Sequence, residues 1–170
     1  MAGVGLQVAG VSGGVGTTTV ATALGAADRG IFTGRRVDVL VCRSNAESLI
    51  RAGRAAQLLR LDNRKVILAV TSADQARPTR ALMARLRLLE PNARGVVLLP
   101  YVARWRDLTV PLDTVRGLLT HRPAELPRPL RGYASAISEL AKLAGGPAAS
   151  PRPSAPISST RTVSRGMERS

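Results

Sequence analysis

The sequence predicts an α/β protein: a doubly wound, mostly parallel sheet flanked by helices, with a disordered C-terminal tail. Three observations carry this reading. Short runs rich in Val and Leu alternate with segments of helical periodicity. Most of those runs are apolar at successive positions rather than alternate ones, which marks strands buried on both faces. The first run passes through a glycine-rich turn straight into a helical pattern.

Taken in order, residues 6–11 form the first strand and residues 18–27 the first helix, joined by Gly10-Val11-Ser12-Gly13-Gly14-Val15-Gly16-Thr17-Thr18-Thr19. Residues 37–42 form the second strand. Ser44 with Glu47 three residues on reads as a capping box that opens a helix through Leu59. Residues 65–71 form the third strand. A helix over 79–90 carries Leu82, Leu86 and Leu89 on one stripe and is stopped by Pro91. Residues 95–101 form the fourth strand, and a short helix runs from Pro111 through Leu119. The last helix follows Pro129, with Leu130, Tyr133, Ile137, Leu140, Ala141 and Ala144 on one face, and ends at Gly145-Gly146. Residues 145–170, rich in Gly, Pro, Ser and Arg, bury too little to offset the entropy of ordering. In a doubly wound sheet ligands bind beyond the carboxyl ends of the strands. Residues 12–18, 43–44, 72–74 and 100–104 are therefore expected to meet in one crevice.

The bulk properties bound the function. The chain has 170 residues, of which 45% are apolar, enough for one domain with a real core. Aromatics make up only 2%, so that core is built from Ala, Val and Leu. No apolar run approaches the roughly 18 residues that span a bilayer, and no secretory signal is expected. Cys42 is the single cysteine, which excludes an internal disulfide and suggests a cytoplasmic setting. The formal charge is +14, carried almost entirely by arginine. It has two readings: a polyanionic partner such as nucleic acid or an anionic membrane surface, or a composition rich in Ala and Arg with no specific partner. The basic residues are scattered, with short clusters at Arg35-Arg36 and Arg104-Trp105-Arg106.

The glycine loop is the main candidate site. A strand, a glycine-rich turn and a helix N-terminus make an anion cradle, because backbone N–H groups point inward and the helix dipole favours negative charge. The usual phosphate-binding pattern ends in Gly-Lys-Ser/Thr; this one ends in Gly16-Thr17-Thr18.

The stretch Gly13-Gly14-Val15-Gly16-Thr17-Thr18-Thr19 resembles the deviant Walker A loop of the ParA/MinD family, whose partition and septum-site ATPases carry Lys-Gly-Gly-Val-Gly-Lys-Thr-Thr. The likeness continues through Val20-Ala21-Thr22-Ala23-Leu24-Gly25, through Val39-Leu40-Val41-Cys42-Arg43-Ser44 with Glu47-Ser48-Leu49, through residues 66–72, and through Val97-Leu98-Leu99-Pro100-Tyr101-Val102. The resemblance implies an abbreviated P-loop NTPase-like domain over residues 1–144. It implies ATP or ADP with Mg²⁺ held by Gly13, Gly14, Val15, Gly16, Thr17, Thr18 and Thr19, with the Thr18 hydroxyl on the metal. It also implies a protein partner, a positioning or assembly role like that of the pilus-localisation members, and dimerisation over nucleotide.

The chain departs from the family at charged positions. Ser12 stands where the signature lysine would be, Thr17 where the Walker lysine would be, and Val11 replaces the loop's first Gly. The strand over 37–42 ends in Arg43 rather than a metal-side Asp, and Asp38 lies at its other end. Residues 27–36 are too few for the family's switch I Asp and the strands around it. Phosphoryl transfer depends on positioning and charge neutralisation. The expectation is thus a degenerate member: a binding or positioning module with at most weak nucleotide binding and no efficient hydrolysis. Two alternatives stand beside it. One is an atypical active ATPase with charge supplied by Arg43 or by a partner. The other is a sequence-nonspecific DNA-binding protein.

Other residues read more simply. Gly10-Val11-Ser12-Gly13-Gly14 fits the nucleophile-elbow spacing, but the only base on offer is His121 in a Pro-rich linker. Cys42 reads as a buried inert thiol. Asp74 reads as a turn former, Arg43 as a solvated strand-end arginine, and Trp105 as a partly buried anchor rather than a base-stacking platform.

Overall fold

The computed structural model describes residues 5–106 and 111–145; the side chains of Arg104, Arg106 and Pro111 lie outside this set. The tail expected over 145–170 lies outside the described residues beyond Gly145.

Among the described residues five strands form one all-parallel sheet: β1 (Gln7–Gly10), β2 (Ala27–Ile31), β3 (Val39–Arg43), β4 (Val66–Thr71) and β5 (Ala93–Leu99), in the order β2-β1-β3-β4-β5. The helices are α1 (Thr17–Leu24), α2 (Ala46–Leu61), α3 (Arg80–Leu89), α4 (Pro111–Arg116) and α5 (Arg128–Leu143). From β1 the chain steps one way to β2, then crosses back and steps the other way through β3, β4 and β5. Right-handed crossovers then place α1 on one face and α2 with α3 on the other. α4 and α5 gather with α1, and α5 lies along β5. The central strands are sealed on both faces: Val39, Leu40, Val41 and Cys42 are wholly buried, as are Leu68, Ala69 and Val70 beside them. Successive apolar residues meet this demand, which is why the central strands are readable from sequence.

The four expected strands are present, but the sheet has a fifth. β2 was hidden because Ala27-Asp28-Arg29-Gly30-Ile31 is an edge strand exposed along its whole length, with no apolar run to betray it. It also shortens the expected first helix. α1 stops at Leu24, where Gly25 turns left-handed at φ 62° and its N–H closes on the Ala21 and Thr22 carbonyls. Residues 27–36 therefore do accommodate a strand, contrary to the length argument. The return from β2 to β3 uses only residues 32–38 and no helix, where a parallel crossover ordinarily takes about a dozen or more. The face beside β1 and β2 is accordingly left with an open groove of about 490 Å³ between Gln7, Ala9 and the returning segment.

The α2 cap also differs. Asn45, not Ser44, caps the helix, its side chain accepting from the Ser48 N–H at 2.8 Å. The Ser44 hydroxyl instead accepts from the Ala73 N–H, tying the ends of β3 and β4 together. Thr79 caps α3 through the Leu82 N–H at 3.1 Å, and a 3₁₀ turn over Glu90–Asn92 contains Pro91. α4 ends at Arg116, short of Leu119, and α5 starts at Arg128, one residue before Pro129. Among the described residues no helix is long and apolar enough to cross a membrane.

Candidate functional site

The ends of β1 and β3 are adjacent, and the chain reverses its direction of travel across the sheet there, so a crevice opens between them. The Val11 N–H continues the ladder to the Val41 carbonyl at 2.9 Å before the loop lifts away. Gly14 and Gly16 then take left-handed conformations at φ 71° and 93°, which glycine adopts without a Cβ penalty. Gly16 is the N-cap of α1, and no side chain caps it. The first-turn N–H groups have no intrahelical acceptors, so this helix end faces outward with its positive pole unsatisfied.

Two clamps hold the loop. The Thr71 hydroxyl, at the end of β4, lies 2.9 Å from the Val15 carbonyl and 3.1 Å from that of Cys42. Arg43, at the end of β3, reaches across to the Gly14 carbonyl with both Nε, at 3.0 Å, and Nη2. Arg43 is exposed at its strand end, as expected, but it is not merely solvated: its guanidinium sits on the loop. A guanidinium carries five N–H donors, and two are used here.

The crevice holds about 300 Å³ and is lined by Gly14, Val15, Gly16 and Thr19 together with Arg43, Thr71 to Ala73, Pro100 to Val102, Trp105 and Tyr133. The ends of β1, β3, β4 and β5 thus meet, as the fold class predicted. Arg43 is the one charged residue among these described lining residues, so the crevice is electropositive. Its aromatic wall is an edge-to-face pair: the Trp105 and Tyr133 rings are 4.5 Å apart at 79°. Trp105 is half-buried against the core, as an anchor should be, and its Nε1 is buried with no hydrogen-bond partner among the described residues.

The expected phosphate-site residues divide. Gly14, Val15, Gly16 and Thr19 line the crevice; Gly13, Thr17 and Thr18 do not. Val15 turns its side chain inward and is 2% exposed. Thr17 folds back over Gly10: a Cβ on Gly10 would collide with Thr17 Oγ1 and lie 2.7 Å from Val15 Cγ2. Thr18 donates its hydroxyl to Asp28 on β2 at 2.7 Å. Asp28 was missed by the length argument, and it puts a carboxylate beside the loop after all. Its other oxygen accepts from the Gly30 N–H at 2.8 Å. Asp38 holds the opposite end of the sheet, where it accepts from the Gln7 N–H.

The remaining candidates are placed plainly. Asp74 accepts from the Ala76 N–H at 2.9 Å, a turn-forming role. Cys42 is wholly buried, and burial pushes its thiol from an ordinary 9.0 up to about 12, which leaves it inert. His121 is 2.8 Å from the Gly117 carbonyl and lines a separate cavity beneath Trp105 that does not include Ser12. Among the described residues no cluster of three or more His, Cys, Asp or Glu is placed to hold a metal.

No family model matches the chain, and no curated protein or solved structure does so either.

Proposed function

We propose that the chain is a binding module for a phosphorylated ligand, a degenerate ParA/MinD-like domain that holds ATP or ADP weakly and does not hydrolyse it efficiently. The carrying observation is the Arg43 guanidinium on the Gly14 carbonyl. It brings a fixed positive charge, with unused N–H donors, to the uncapped N-terminus of α1. A helix end and an arginine together are a natural phosphate receptor. Tyr101 lines the crevice and supplies flat surface for the rest of a nucleotide.

The described lining does not suit metal-assisted phosphoryl transfer. It offers neither a carboxylate nor a lysine, and the Thr18 hydroxyl and Asp28 carboxylate are bonded to each other outside it. Thr17, at the Walker lysine position, is turned onto Gly10. The reading is therefore one of occupancy without turnover, and a role in positioning a partner.

Titration calorimetry and thermal shift with ATP, ADP and pyrophosphate, with and without Mg²⁺, test it. Binding is expected with little dependence on Mg²⁺, weakened about tenfold by Arg43→Ala through loss of a charge-assisted hydrogen bond, with phosphate release at background. No heat and no shift at saturating nucleotide would remove the nucleotide role. Robust turnover abolished by Thr18→Ala would establish an active ATPase instead.

A further inference from the structure

The layer formed by α2 and α3 carries a further recess, separate from the crevice in its lining and its chemistry. It holds about 310 Å³. Its floor is Leu49 and Gly53 of α2 and Leu89 of α3, and the helices touch closely there: a Cβ on Gly53 would lie 3.1 Å from Leu89 Cδ2. Its walls are Ile50, 56% exposed, and Leu88, 75% exposed. Large aliphatic side chains held this far out on adjoining helices form an apolar surface rather than scattered exposure.

The charge around the recess has one sign. Among the described residues Arg54 and Arg85 line it, no carboxylate does, and neither arginine is in an ion pair. Over both helices there are six arginines and one glutamate, Glu47, which is already bonded to Arg51.

We propose that this groove docks an acidic amphipathic helix of a protein partner. The apolar face of that helix would rest on Ile50, Leu88 and the Leu89 floor, and its Glu or Asp side chains would meet Arg54 and Arg85. An amphipathic helix fits a groove between two helices, where apolar anchors at helical spacing meet an apolar trough. Charge selects the occupant. A second copy of this chain brings +14 against +14 and the same arginine-rich face, so like charges oppose self-docking. This surface is independent of the phosphate crevice and stands whether or not nucleotide binds there.

The test is a displayed library of amphipathic helices sharing one leucine pattern, with the polar face randomised among Glu, Lys, Gln and Ser, selected on the full chain. The expected result is enrichment of acidic polar faces. A resynthesised winner should bind at least about tenfold more weakly to Leu88→Glu, to Ile50→Asp, and to Arg54→Glu/Arg85→Glu. Leu88 and Ile50 are exposed, so unchanged melting curves will show that these variants fold. No enrichment, basic winners, or winners indifferent to Leu88→Glu would overturn the proposal. So would a dimer in sedimentation equilibrium that Leu88→Glu dissociates, which would assign the groove to a second copy. Binding to vesicles of phosphatidylserine and phosphatidylcholine that is abolished in the same variant would assign it to a membrane and likewise overturn it.

Discussion

Gly10 and Gly95 are both tightly enclosed, but their neighbours differ in kind. A methyl on Gly10 would strike Thr17 Oγ1 and the buried Val15 Cγ2 and lie 3.1 Å from the Ser12 backbone carbonyl, none of them the end of a long, flexible side chain. The atoms nearest a methyl on Gly95 all belong to the Leu143 side chain, its Cδ1 at 2.7 Å, at the last residue of α5, where it can swing aside. Gly10→Ala is therefore expected to cost about 1–3 kcal/mol in denaturant unfolding, as overpacking does. Gly95→Ala should stay within about 0.5 kcal/mol. The same geometry explains Thr17. The loop resembles one that presents a lysine at this position, yet the threonine here fills the space above Gly10. The identity of that residue was legible from the sequence. The direction of its side chain was not, because it depends on how closely the loop returns over β1.

At the scale of elements, the caps separate what spacing suggests from what geometry selects. Ser44 and Glu47 have capping-box spacing, but the Asn45 side-chain oxygen Oδ1 accepts the bond from the Ser48 N–H. Asn45→Ala should cost about 1 kcal/mol. Ser44→Ala should cost clearly less, since it removes only an exposed hydrogen bond from the Ala73 N–H, 3.2 Å long. Urea midpoints of the two variants decide between the caps; equal destabilisation would return Ser44 to the cap position. The elements also differ in how visible they were. β3 and β4 announce themselves because both of their faces are sealed, so every position must be apolar. β2 needs no such composition. It pairs with β1 along one edge, with Gln7 beside Ala27 and Val8 beside Asp28, and leaves its side chains exposed. Backbone pairing of this kind leaves almost no trace in a hydropathy pattern. With β2 unseen, the Thr18–Asp28 hydrogen bond could not be anticipated either.

For the whole molecule, charge and proton linkage set the stability profile. The chain carries 25 basic and 11 acidic residues. The described residues show two ion pairs, Arg51–Glu47 and Arg116–Asp113, both local and exposed. Such pairs contribute little, so net self-repulsion dominates the electrostatics. The melting temperature is expected to rise as sodium chloride goes from low to physiological concentration, because repulsion is screened; a fall would mean that attractive pairs dominate. Proton linkage acts at high pH. Burial raises the Cys42 thiol from 9.0 to about 12 and also raises the Tyr133 phenol above its ordinary 10.0. The unfolded chain therefore gives up these protons first, while the folded chain keeps them. Stability is unaffected by them below about pH 9 and declines progressively from pH 9 toward 12. Unfolding free energies across that range should show the decline, and Cys42→Ala should flatten its first part.

The sequence by itself determined the fold class, the four apolar strands, the meeting of strand ends in one crevice, and the inert character of Cys42. Each of these follows from local composition: sealed strands must be apolar, parallel strands must share a ligand end, and a thiol inside such a strand must be desolvated. Only the tertiary structure decided that Arg43 lies on the Gly14 carbonyl, that Thr18 is bonded to Asp28 across an unforeseen edge strand, and that Ile50 and Leu88 border one groove. Those facts depend on which segments lie side by side, and neighbours in space that are far apart in sequence leave no local pattern from which to read them.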